Sequence, residues 1–184
     1  MSKFKVSTIS DLLLDLLEIS IIGITIFVLV YIFVGQLLEV TGDSMEPNLH
    51  DQEQIIAEKV SINFKPLQRG EIVIFRHPEN NERLLIKRVV GLPEEKIKIE
   101  NGYVYINGMV LDESYVMTVG VTRGNKDLIE GVEYYITENS YVLLGDNREE
   151  SSDSRSFGTV REELILGRSL MVYYPFNSIR VIEH

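Results

Sequence analysis

The sequence contains no cysteine. That absence excludes a disulfide framework, a thiol nucleophile and a zinc site of the cysteine type. Histidine is scarce: His50, His77 and His184 are the whole supply, and they do not cluster. No metal and no cofactor is therefore expected. Basic residues are outnumbered, with 18 Lys and Arg against 28 Asp and Glu, a net charge of −10. A nucleic-acid partner needs a basic face and is not expected. Internal repeats are lacking too, and 184 residues allow one domain plus an anchor or one domain with a small insertion.

Charge is also missing from one continuous stretch. Glu18 and Glu39 bracket residues 19–38, a run of 20 residues without a charged side chain. As a helix it would be ~30 Å long, the thickness of a bilayer's hydrocarbon core. We expect one N-terminal transmembrane helix over residues 19–38, preceded by a cytoplasmic segment, 1–18. A buried core helix rarely runs so far without a charge. A cleaved signal peptide is the other reading: Lys3 and Lys5 would be its basic start, and Val40 and Gly42 loosely fit a cut after small residues. Asp11, Asp15 and Glu18 intrude, and the run is too long, so an uncleaved anchor is expected. No Lys or Arg follows Lys5 until Lys59. The positive-inside rule then puts the N-terminus in the cytoplasm and residues 39–184 outside, as a single-pass cell-membrane protein. That outer part carries 16 basic and 25 acidic residues.

Beyond residue 38 the pattern turns to strands. Residues 54–57, 71–75, 84–90 and 141–144 are short runs rich in β-branched and aromatic side chains. Residues 96–99 alternate with period two. Asn101-Gly102 and Asn107-Gly108 then separate 96–99, 103–106 and 109–111, and each Asn-Gly supplies the positive φ angles of a tight hairpin. A three-stranded meander is predicted there. Residues 112–132 read as a polar loop or flap, and 164–174 as a long strand pair. The fold class expected is mostly β.

Three stretches could carry chemistry. Ser44 lies on a loop with Gly42, which permits close backbone approach, and Pro47, which stiffens the turn. A serine hydroxyl needs a base. His50 and His77 read as solvated loop residues. Lys87 sits in Leu-Leu-Ile-Lys-Arg-Val-Val, sharing a strand face with Leu85 and Val89. It either snorkels to solvent or pairs with a carboxylate, or it is desolvated, loses its charge and serves as a base. Arg88 points to the other face and suits an ion pair. The third stretch, 145–158, repeats Asp and Arg at short spacing, which suits an internally bonded loop. A serine from it could orient the lysine amine.

Together these stretches resemble the bacterial type I signal peptidases, membrane-bound Ser/Lys proteases. The nucleophile box reads Ser44-Met45-Glu46-Pro47-Asn48-Leu49, departing from the family's Ser-Met-x-Pro-Thr-Leu at Asn48. Arg69-Gly70-Glu71-Ile72-Val73-Ile74-Phe75 resembles a second box and Ile86-Lys87-Arg88-Val89-Val90-Gly91-Leu92-Pro93 the lysine box. Gly145-Asp146-Asn147-Arg148, Ser151, Asp153-Ser154-Arg155 and Phe157-Gly158 resemble the last. The similarity covers residues 40–172, with the boxes in family order.

The resemblance implies a signal-peptidase-like β catalytic domain over 39–184, with 96–137 as a small variable β insertion or second subdomain. It implies Ser44 as nucleophile, Lys87 as general base and Ser151 as the group holding the amine. Asp146, Arg148, Asp153 and Arg155 would be structural. A hydroxyl two positions before the nucleophile is replaced by Gly42, the Gram-positive-like form, so the oxyanion hole would use backbone N–H groups of Ser44 and Gly42. Val40, Met45, Leu49, Leu85 and Ile86 would line the substrate groove and its pockets for small residues at −1 and −3. The implied partners are preprotein signal peptides, membrane lipid and nearby secretion machinery. A catalytically silent, membrane-anchored assembly factor of the same build is the alternative. A self-cleaving repressor with such a dyad would carry a DNA-binding domain where this chain has its apolar run.

Overall fold

The structure is a computed structural model and describes residues 9–33 and 35–182. Lys3, Lys5 and His184 lie outside the described residues. The chain divides into two units, one up to Gly35 and one from Gln36. The first is helix α1, Ile9–Phe33, of 25 residues. Its hydroxyls are turned back onto the backbone: Ser20 Oγ donates to the Leu16 carbonyl and Thr25 Oγ1 to that of Ile21, both at 2.8 Å. This helix differs from the expected 19–38. It starts earlier, and Gly35–Glu39 is a strand, β1, at the edge of a sheet. Pairing along a sheet edge satisfies the backbone there without a helix. Among the described residues no helix is long and apolar enough to cross a membrane. Asp11, Asp15 and Glu18 fall inside α1, and its charge-free part, 19–33, reaches only ~22 Å.

The second unit is mostly β. Further strands are β2 (Gln54–Glu58), β3 (Ile72–His77), β4 (Asn80–Gly91), β5 (Lys96–Glu100), β6 (Tyr103–Ile106) and β7 (Met109–Val110). After them come β8 (Glu133–Tyr135), β9 (Ser140–Leu144), the one-turn helix α2 (Ser154–Phe157), β10 (Val160–Arg161), β11 (Ile165–Tyr174) and β12 (Arg180–Val181). The main sheet runs β1-β2-β11-β3-β4-β9-β10, with β12 also paired to β11. The second runs β7-β6-β5-β8.

Local chemistry explains the smaller sheet. Asn101, Gly102, Asn107 and Gly108 all have positive φ, as two tight hairpins require. Ile97 and Ile99 alternate inward and Lys96 and Lys98 outward. With Val104 and Ile106 they pack on Val90, Val142 and Leu144 of the main sheet. Residues 112–132 form no strand among the described residues. The predicted strand pair at 164–174 is one continuous strand instead, because β11 is flanked by β2 and β3 and carries β12.

β3 is buried on both faces. Ile72 and Ile74 join a core with Val40, Met45, Leu49 and Ile55, while Val73 and Phe75 join one with Leu85, Val89 and Leu143. β4 lies antiparallel beside it, with Val73 opposite Lys87 and Ile72 opposite Arg88. A lysine is thereby fixed beside β3, whose residues 72–75 are buried.

Candidate active site

Ser44 is carried by a compact turn. Asp43 and Met45 carbonyls accept from the Glu46, Asn48 and Leu49 N–H groups at 2.9–3.1 Å. Met45 and Leu49, at 1% and 0% exposure, nail that turn into the core. A second set of bonds fixes it from the far side: Asn147 N–H donates to the Ser44 carbonyl at 3.2 Å, and its Nδ2 to that of Asp43 at 3.3 Å.

Lys87 is 3% exposed, between Leu85 and Val89 on its strand face. Its Nζ donates to Ser44 Oγ at 2.6 Å and to the Ile86 carbonyl at 2.9 Å. Burial pushes the amine down to about 8, against the upward pull of the Asp153 and Asp146 carboxylates. Desolvation disfavours the ammonium. The residues thus place a hydroxyl in hydrogen-bond contact with an amine that sheds its proton near neutrality. Such a pair can transfer the hydroxyl proton to nitrogen and free an alkoxide for attack. His50 is exposed beside Glu46 and His77 packs on Phe157; neither lines the groove at Ser44.

That groove has a volume of about 310 Å³. Val40, Gly42, Met45, Ile74, Leu85 and Ile86 line it, together with Ser44 and Lys87. Leu49, expected among the pocket residues, does not line it. It is wholly buried against Val40, Met45 and Ile55 and is a core residue.

Two other expectations meet a different geometry. Gly42 has φ +82, so the glycine is needed there, but its N–H donates to Asp51 Oδ1 at 2.7 Å. A carboxylate thus already occupies the donor expected for an oxyanion hole. Ser151 Oγ is buried and has no hydrogen-bond partner, and the Ile86 carbonyl holds the amine instead. Ser151 still packs at the site. A Cβ on Gly145 would lie 2.2 Å from Ser151 Oγ and 2.5 Å from the Ser44 carbonyl oxygen, so only glycine fits between them.

The acidic and basic residues of the last box form three closed pairs. Asp146, fully buried, accepts from Arg88 Nε and Nη2 at 2.8 and 2.7 Å. Asp153 caps α2 and accepts from Arg155 Nε and Nη2 at 2.8 Å each, while also accepting the Gly145 N–H. Arg148 donates to Glu113, Thr122 and the Gly145 carbonyl. Glu113 was not singled out by its sequence context. It sits in a polar stretch where only the fold shows that it is 8% exposed and paired with an arginine. Asn48, a departure from the family's box in the sequence, bonds the Tyr115 carbonyl and Asp146 Oδ2 through its Nδ2.

Among the described residues no group of three or more His, Asp or Glu is placed to hold a metal.

Comparison with known proteins adds independent findings. The family described as signal peptidase, peptidase S26, matches residues 13–174. A probable signal peptidase I-2 of a Synechocystis species is 31% identical over 95% of this chain and 79% of its own length. Signal peptidase I of Leptolyngbya laminosa is 35% identical over 80% of this chain and 72% of its own. Signal peptidase IB of Staphylococcus aureus is 30% identical over 87% and 91%, which fits the Gram-positive-like form expected from Gly42. With a match across most of its length, and relatives this similar over four-fifths of it or more, the chain belongs to the signal peptidase family, peptidase S26, and is an enzyme of the signal peptidase I kind.

Proposed function

We propose that this protein is a serine endopeptidase that removes N-terminal signal peptides from secreted preproteins, with Ser44 as nucleophile and Lys87 as general base. The observation that carries this reading is the 2.6 Å contact between Ser44 Oγ and a Lys87 amine held near neutrality by burial. An extended preprotein segment lies in the groove between residues 38–43 and 83–86 and adds as a strand. Small residues at −3 and −1 sit over Met45, Ile74 and Ile86.

Ser44 Oγ bonds to the scissile carbonyl carbon as its proton passes to Lys87 Nζ. The oxyanion takes the Ser44 N–H, since Asp51 holds that of Gly42. Collapse breaks the C–N bond, and Lys87 returns the proton to the leaving amine. Water, deprotonated by the same amine, then attacks the acyl carbon and releases Ser44. Ser151, packed against Gly145, keeps a buried hydroxyl without a hydrogen-bond partner, and we assign it to the amine as it moves during these steps.

The enzyme is held at the cell membrane by its N-terminal unit, with the β unit on the extracytoplasmic side. Leu12, Leu13, Leu16, Leu17, Ile19, Ile22 and Ile24 of α1 are all more than half exposed, and so much exposed apolar surface on one helix calls for lipid. Anchoring concentrates the site where preproteins emerge.

The test is mass spectrometry of a secretory preprotein before and after incubation with the full chain. Release of a fragment ending in a small residue is expected, with the rate rising with pH through about 8 as Lys87 deprotonates. Ser44→Ala and Lys87→Ala abolish it. Full cleavage by the Lys87 variant would falsify the dyad.

A further inference from the structure

Asn48 stands four residues after Ser44, in the same turn, and its own N–H closes that turn onto Met45 at 3.0 Å. Its side-chain amide spends both N–H donors on other segments. One goes to the Tyr115 carbonyl at 2.7 Å, the other to Asp146 Oδ2 at 2.9 Å. The Asn48 backbone carbonyl accepts from Arg180 Nη2 at 2.7 Å, and Arg180 is held in turn by Glu53. Asp146 grips Arg88, the residue next to Lys87 on β4. A bonded path thus runs from the Ser44 turn through Asn48, Asp146 and Arg88 to the strand that carries Lys87. Except at Asn48 itself, which is part-buried, its charged members are at most 3% exposed, where a charge-assisted bond is stronger than in water.

We infer that Asn48 is a positioning residue, which sets the distance between Ser44 Oγ and Lys87 Nζ by tying the nucleophile's turn to the Asp146–Arg88 pair. The inference rests on the dyad reading above and adds to it. The chemistry favours asparagine at this position: a primary amide has two N–H donors, whereas a threonine hydroxyl has one. Threonine can bond Asp146 or the Tyr115 carbonyl, not both. A displacement of even a fraction of the 2.6 Å contact matters, because misplacing reacting groups by about 1 Å can cost about 100-fold in rate. The charges that act on the Lys87 amine are those of Asp153 and Asp146, which favour the ammonium, and of Arg83 and Arg155, which oppose it.

The test compares the full chain with its Asn48→Ala and Asn48→Thr variants on one preprotein. For Asn48→Ala we expect kcat to fall about 10- to 100-fold with KM unchanged. The rise of kcat with pH also moves upward, because an Asp146 stripped of a donor favours the Lys87 ammonium more strongly. Asn48→Thr falls between wild type and Asn48→Ala in both readouts. A folded Asn48→Ala with wild-type kcat overturns the inference. So does a loss of kcat whose pH profile does not move, since a merely structural role predicts that. Should Asn48→Ala fail to fold, Asn48→Thr decides alone: a partial loss with an upward shift supports the inference, and wild-type behaviour overturns it. Ser44→Ala and Lys87→Ala are run alongside. Activity surviving in those two strikes the dyad, whereas dead dyad variants beside a fully active Asn48→Ala strike only the role given to Asn48.

Discussion

Lys87 and Arg88 are neighbours on one strand, both cationic residue types, and at 3% and 2% exposure they are equally buried. Their surroundings differ completely. Arg88 meets Asp146 through two bonds, donates to the Gly70 carbonyl and lies 4.4 Å from the centre of the Tyr115 ring. Lys87 has a serine hydroxyl and one carbonyl, with no carboxylate in ion-pair contact among the described residues. Burial alone therefore does not make a base. What makes one is burial on the face that lacks a counter-charge, using a residue whose proton can leave. The paired face holds the site together, and the unpaired face carries the amine that the proposed reaction uses as its base.

Exchanging the chemistry of the two faces gives the largest effect. Lys87→Arg keeps a cation of similar length but cannot give up its proton, so processing should drop by about 10²–10⁴-fold. Mass spectrometry of the preprotein measures it, and substantial activity would mean that Lys87 is not the base. Next comes the paired face. Asp146→Ala leaves Arg88 buried without its anion and should cost about 3–5 kcal/mol in thermal or denaturant unfolding. A loss below 1 kcal/mol, on the order of an exposed pair, would show that the pairing is dispensable.

The smallest effect is the one that separates the two faces in stability. The Lys87 pKa in the folded chain, about 8, lies below the 10.5 of an exposed lysine. Between those values the unfolded chain binds more protons, so folding stability rises with pH across that window; below about 8 the folded chain bears the full cost of a buried ammonium. Lys87→Met should therefore be inactive yet more stable than wild type, on the order of 1–3 kcal/mol near pH 6, with the gain shrinking toward pH 10. A gain that does not depend on pH would show that the amine is not desolvated.

Much of this was legible in the sequence where a local rule governs. The Asn-Gly pairs announced their hairpins, because positive φ is a property of those residues themselves. Period two in 96–99 announced which residues face inward. The apolar neighbours of Lys87 announced a buried face, but not whether the lysine would escape it. The helix boundary was misread for a physical reason: residues 35–38 are apolar enough to continue a helix, and only an available sheet edge turns them into a strand. Leu49 shows the same limit. An apolar residue beside a nucleophile can line a pocket or anchor the turn from below, and hydropathy is identical in both cases.

The sequence by itself determined the β character of the second unit, its tight turns and the lack of thiol chemistry, and through four boxes in order it singled out Ser44 and Lys87 as a candidate pair. The tertiary structure alone decided which polar groups meet. Asp51 takes the Gly42 N–H, Glu113 closes on Arg148, the Ile86 carbonyl holds the Lys87 amine, and Asn48 reaches Asp146. Those partners lie from 1 to 98 positions apart in the chain. Hydrogen bonding depends on distance and direction in space, to within a few tenths of an ångström, and spacing along a sequence carries neither.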